Sequence, residues 1–82
     1  MSKRRELPIA PFYRIIREEG ARRVSREAAA LLRDIVEDIA REIARESWEL
    51  AQHAKRRTVV TEDVSFAARR ILRQVSISLS QE

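Results

Sequence analysis

Apolar residues recur at helical spacing in three blocks along this chain. In the first, Ile9, Phe12 and Ile16, widened by Ile15, lie three to four residues apart and form one stripe. Pro8 suits a first helical turn, where its missing N–H costs nothing, and Pro11 is tolerable only inside that same turn. Gly20, the only glycine, falls where the residue after a helix adopts left-handed geometry. The pattern predicts a helix over residues 8–19.

Ala21-Arg22-Arg23-Val24 follows as a short basic loop, and Ser25 then suits an N-cap, with Glu27 in the first turn. No glycine or proline interrupts the chain from there to about Ala54. Roughly thirty residues at about 1.5 Å each span about 45 Å, more than the diameter of a small domain. Apolar positions including Leu31, Leu32, Ile35, Val36, Ile39, Ile43, Leu50 and Ala51 cover close to half of that helix, with Trp48 nearly outside the arc and expected to pack on a neighbouring element. Glu46 lies near the arc, either paired with an arginine or at its edge.

Beyond Lys55-Arg56-Arg57, Thr61 is the expected N-cap of a third helix, with Glu62 and Asp63 in its first turn. Val64, Ala67, Ala68, Ile71 and Leu72 mark its stripe, and its end is expected near Arg73. From Gln74 onward Val75, Ile77 and Leu79 alternate with Ser76, Ser78 and Ser80, which is strand periodicity. That tail is read as frayed, or as an added strand or docking segment on a partner. Val75 also continues the stripe from Ile71, so a first turn could extend the third helix. The expected divisions are a basic leader at 1–6, a helical domain at 7–73 and a tail at 74–82. Two helices of about a dozen residues cannot cover a long helix with half its girth apolar. An all-α subunit, short–long–short, is therefore expected to form an obligate dimer in which the long helices cross, with folding coupled to association.

Composition narrows the remaining classes. Eighty-two residues make at most one domain, marginal alone unless something staples it. With no cysteine, disulfides and thiolate sites are excluded, and with one histidine no protein-built zinc site, cofactor or catalysis is expected. No apolar run approaches a membrane span and MSKRREL lacks the core of a signal peptide, so a soluble intracellular chain is expected. Hydrophobic residues at 44% argue against wholesale disorder despite 37% charged residues.

The charge itself is polarised. Net charge is only +4, but fifteen of the seventeen cations are arginine, whose planar fork suits phosphate or carboxylate. Residues 25–54 hold four arginines against seven acids, a net −3, which leaves +7 on the remainder. The excess gathers in Lys3-Arg4-Arg5, in Arg14 and Arg17, in Arg22 and Arg23, and in Lys55-Arg56-Arg57 followed by Thr58. In an antiparallel dimer the loop before one long helix lies near the loop after the other. The clusters then form a curved row of cationic sites suited to a bent duplex, giving affinity without sequence reading.

ELPIAPFYRIIREEGARRVS, and LAQHAKRRTVVTEDVSFAARRI after the long helix, resemble the archaeal histones, over about Glu6 to Arg73. The resemblance implies a histone fold, a handshake dimer with itself or a paralogous histone, further dimers joined through four-helix bundles, and DNA wrapped on the chromosome. By position it implies Arg14 in the minor groove, Arg17 on the DNA face, Arg23 as the loop arginine, and Arg57 with Thr58 on phosphate. It implies an Arg56–Asp63 ion pair bracing the second loop, and Gly20 at a close stacking contact between successive wraps. Leu50, His53, Asp63 and Phe66 match positions where dimers meet, with His53 bonding the Asp63 of a neighbouring dimer. Two departures bear on this: Lys55 stands where many relatives carry glycine, and Val60 where lysine is common. The alternatives to a sequence-tolerant DNA-packaging protein are a histone-fold interaction subunit of a transcription or repair complex, and an ATPase lid. The lid is disfavoured because no GxxxxGK[ST] loop is present.

Overall fold

In the computed structural model the backbone is described for residues 5–80 and the side chains for residues 5–74. Three helices and no strand occur among these residues: α1 (Ala10–Glu18), α2 (Arg26–His53) and α3 (Thr61–Ser80). The all-α, short–long–short order is the expected one. The backbone divides into two compact units, one running through Asp38 and the other from Ile39, so α2 contributes about half of its length to each.

In the first unit, α1 begins later than its prolines suggested. Ile9 is the N-cap and Pro11 occupies the first turn, while Pro8 precedes the helix. Gly20 closes α1 with φ +122°, its N–H donating to the Arg17 carbonyl at 2.9 Å. A side chain at that φ is strained, so the lone glycine is placed where the backbone needs it. Ser25 caps α2 as expected, its Oγ accepting from the Ala28 N–H at 3.0 Å. Phe12 and Ala29 are the buried apolar residues of this unit.

The segment before α1 is tied down by a contact that the periodicity does not reveal. Glu37 is 3% exposed, and its Oε1 accepts from the backbone N–H groups of both Glu6 and Leu7 at 2.9 Å. Arg33 donates to the Leu7 carbonyl at 3.1 Å, and Arg5 reaches Asp38 at 2.7 Å and Asp34 at 3.2 Å. Buried polar groups are costly unless bonded, and here each named group has a partner.

In the second unit, Ala51 of α2 and Ala67 of α3 are fully buried, and small residues at such positions let helix axes approach closely. Ile71 joins them, and Ser47 is buried by donating its hydroxyl to the Ile43 carbonyl at 2.7 Å. Glu46 pairs with Arg70 at 3.6 Å, which decides between the two roles open to it.

Two expectations are corrected here. Val60, not Thr61, is the N-cap of α3: its carbonyl accepts from the Asp63 and Val64 N–H groups at 3.0 and 3.3 Å. Its own N–H donates to Asp63 Oδ2 at 2.9 Å, the reciprocal half of a capping box, so no hydroxyl is needed at the cap. The third helix continues to Ser80 instead of ending near Arg73, so residues 74–80 are neither strand nor frayed tail but follow, and exceed, the helical extension that Val75 suggested. A strand needs a partner for its backbone groups, whereas an existing helix extends by adding one internal bond per residue. Gln81 and Glu82 lie outside the described residues. Trp48 is 42% exposed in the single chain, so more than half of it is already covered.

The wide α2 stripe is covered only in part, and apolar residues outside it are exposed as well. Leu31, Ile35 and Val36 of α2 are exposed in the first unit, and Val59, Val64 and Leu72 in the second.

Candidate nucleic-acid interface

The arginines of this chain fall into two groups by what they touch. Several beside α2 are engaged: Arg33 with Asp34 and Leu7, Arg45 with Glu42, Arg5 with Asp34 and Asp38, and Arg70 with Glu46. By contrast, among the described residues no acid pairs with Arg14, Arg17, Arg22, Arg23 or Arg57, and all five are exposed. Most of the described cations that the charge pattern singled out are left available, but Arg5 and Arg56 are spent, while Arg26 and Arg73, in none of those clusters, are exposed with no acid partner among the described residues.

In the first unit, α1 presents Arg14 and Arg17 in a shallow groove completed by Ala10 and Tyr13. The Arg17 guanidinium lies over the Tyr13 ring, 5.7 Å from its centroid. Arg22 and Arg23 follow Gly20 in the loop that Ser25 closes. A Cβ built on Gly20 meets nothing within 4 Å, so the loop is open on that side.

In the second unit, the loop after α2 is built around one carboxylate. Asp63 is 5% exposed and receives both fork nitrogens of Arg56, at 2.8 and 3.0 Å, plus the Val60 N–H. The Arg56 hydrogen bonds, followed by that of Val60, hold the Asp63 carboxyl down at about 2. The same bond to Asp63 raises the Arg56 guanidinium above its usual value. Arg56 also donates to the Thr58 carbonyl at 3.0 Å, bending the loop back and turning Arg57 outward. The ion pair that the resemblance implied is therefore present, and most of the Arg56 fork is spent on it. Of the four DNA-contact residues anticipated in this loop, Lys55, Arg57 and Thr58 are exposed and Arg56 is half-buried.

Lys55 adopts φ +59° at the end of α2. Its N–H donates to the Gln52 carbonyl and the Arg56 N–H to the Ala51 carbonyl, both at 2.9 Å, which is a Schellman closure with lysine where glycine is usual.

Leu50, His53, Asp63 and Phe66 all belong to the second unit; Leu50 is half-buried, and His53 and Phe66 are exposed. Phe66 lies in a groove with Arg69, Arg70 and Arg73. Within the chain His53 does not bond Asp63, whose partners are Arg56 and Val60.

Sequence reasoning missed the Glu37 clamp, the Tyr13–Arg17 contact and the left-handed Lys55. A signal existed for the first two. Ala29, Arg33 and Glu37 recur every four residues on one face, and Tyr13 precedes Arg17 by the same interval.

The model of the family described as histone-like transcription factor (CBF/NF-Y) and archaeal histone matches residues 5–68. Over 64 residues the chain is 53% identical to the probable archaeal histone 3 of Methanocaldococcus jannaschii, covering 78% of this chain and 96% of that protein. It is 48% identical to a subunit of the archaeal histone HAN1 of Thermococcus zilligii, with the same coverage of both chains.

Proposed function

The chain belongs to the family of histone-like transcription factors and archaeal histones, and from that premise we propose that it packages double-stranded DNA as an archaeal-type histone. The observation that carries this reading is that Arg14, Arg17, Arg22, Arg23 and Arg57 are exposed with no acid partner among the described residues, while Arg33, Arg45 and Arg56 are paired within the chain. Unspent cations displace condensed counterions from phosphate, which yields affinity without sequence preference. Arginines presented where the minor groove turns inward are the means by which the eukaryotic octamer wraps DNA without reading bases. No enzymatic step is part of this reading.

The binding form is a dimer. The apolar groove formed by Ala40, Ile43, Ala44, Ser47, Val59 and Val64 supports a second copy as its cover. In that dimer the Arg22-Arg23 loop of one copy joins the Lys55–Thr58 loop of the other on one rim, with Arg14 and Arg17 supplying further sites. Dimers meet through Leu50, His53, Asp63 and Phe66. Asp63 uses three of about four carboxylate acceptor positions within its own protomer, leaving one for a neighbour's His53. Gly20 lies at the contact between successive wraps. The working place is the chromosome; among the described residues no helix is long and apolar enough to cross a membrane.

Digestion of reconstituted complexes by nuclease tests the reading. A ladder of protected lengths is expected from open-ended assembly and a single length from closed particles. Absence of protection on random-sequence duplex in dilute buffer would contradict wrapping. A stable folded monomer in sedimentation at micromolar concentration would contradict the dimer.

A further inference from the structure

We infer that Tyr13 is a positioning residue for DNA binding, holding the Arg17 guanidinium in the orientation that meets phosphate. The inference rests on the DNA-packaging reading and deepens it, because Tyr13 belongs to none of the charge clusters that motivated that reading.

Arg17 follows Tyr13 by four residues, so the two side chains meet on one face of α1. Its Cζ lies over the ring at 5.7 Å, inside the range of cation–π attraction. Stacking engages only the flat face of a guanidinium. The N–H donors of a guanidinium lie in its plane, so a stacked contact does not compete with a bidentate hold on phosphate. Arg14 lines the same groove, and no acid among the described residues pairs with either arginine. The groove thus offers two forks, one of them pre-set by an aromatic plate. A free arginine must be ordered on binding; one already ordered loses less freedom.

The test is a double-mutant cycle read in affinity for random-sequence duplex, using the full chain with all variants confirmed folded by thermal melting. Tyr13→Leu should weaken binding roughly two- to fivefold for each copy engaged, the scale of an exposed cation–π contact. Tyr13→Phe keeps the ring and should match wild type. On an Arg17→Ala background Tyr13→Leu should add nothing, whereas on an Arg57→Ala background its full loss should persist. Equal loss on both backgrounds, or a Phe variant as weak as the Leu variant, would overturn the inference while leaving DNA packaging intact. Failure of wild type to bind duplex would sink the packaging reading itself. A measurement on the free protein separates these: the Arg17 Nε–H proton should be shifted upfield by the ring in wild type and Tyr13→Phe, and not in Tyr13→Leu. An unshifted signal in wild type would overturn the positioning role without reference to DNA.

Discussion

The two basic loops solve one problem by opposite means. Both must turn the chain sharply after a helix and keep cations facing outward. The loop after α1 does so with Gly20, whose φ of +122° is open to a residue lacking Cβ, and with the Ser25 cap. The loop after α2 does so with a lysine at φ +59°, inside a frame fixed by Asp63, Arg56 and Val60. A strained residue persists only where its surroundings over-determine it. The second loop has that surrounding frame and tolerates lysine. Among the described residues nothing comparable braces the first, and glycine removes the strain at its source.

Breaking the frame should therefore have the largest effect. Asp63→Asn removes the fork–fork pair and leaves Arg56 and the Val60 N–H with a poorer acceptor, and its melting temperature at neutral pH should fall more than that of any other variant named here. The effect has a defined pH window. Because the folded Asp63 carboxyl titrates at about 2 and an unfolded aspartate near 3.9, its stabilisation is complete above about pH 4 and is lost as pH falls toward 2. Wild type and Asp63→Asn melting curves should converge over that interval. A constant gap between about pH 5 and pH 2 would show that the brace is not ionic.

The glycine loop should break next. Gly20→Ala places a Cβ in open space but forces alanine to φ +122°, which should cost about 1–3 kcal/mol in denaturant unfolding. If alanine is tolerated without loss, the first loop is not held in the described turn. Conversely, Lys55→Gly relieves the left-handed strain and should stabilise the chain by about 1 kcal/mol. The same change removes a loop cation, so DNA affinity should fall while stability rises. The smallest effect on folding belongs to the unpaired cations. Arg23→Ala and Arg57→Ala should leave melting nearly unchanged, within about 0.5 kcal/mol for surface substitutions. Each should weaken all duplex sequences alike and lower the salt slope by about one unit. A loss confined to one sequence would contradict backbone binding.

Much of the fold and of the charge layout is legible in the sequence. The helices, the Ser25 cap, the Gly20 terminus and the Arg56–Asp63 pair are all local, set by spacings of seven residues or fewer. The clustering of arginine outside the acidic long helix is compositional, and so is visible too. The sequence points to the wrong cap for α3 because a hydroxyl at Thr61 is a commoner signal than a carboxylate reaching back from Asp63. It shows the extension of α3 only in part: Val75 continues the stripe from Ile71, but the alternation beyond it suggests a strand, for which the described residues offer no partner.

The sequence by itself determined where helices form, which face of each is apolar, and which segments carry uncompensated charge, because those follow from periods of three to four residues. Only the tertiary structure decided which charges are spent. Glu37 closing on Glu6 and Leu7 spans about thirty residues, and Arg70 reaching Glu46 spans twenty-four. A one-dimensional pattern is silent at such separations, since the pairing depends on how helices pack and not on how they are spaced.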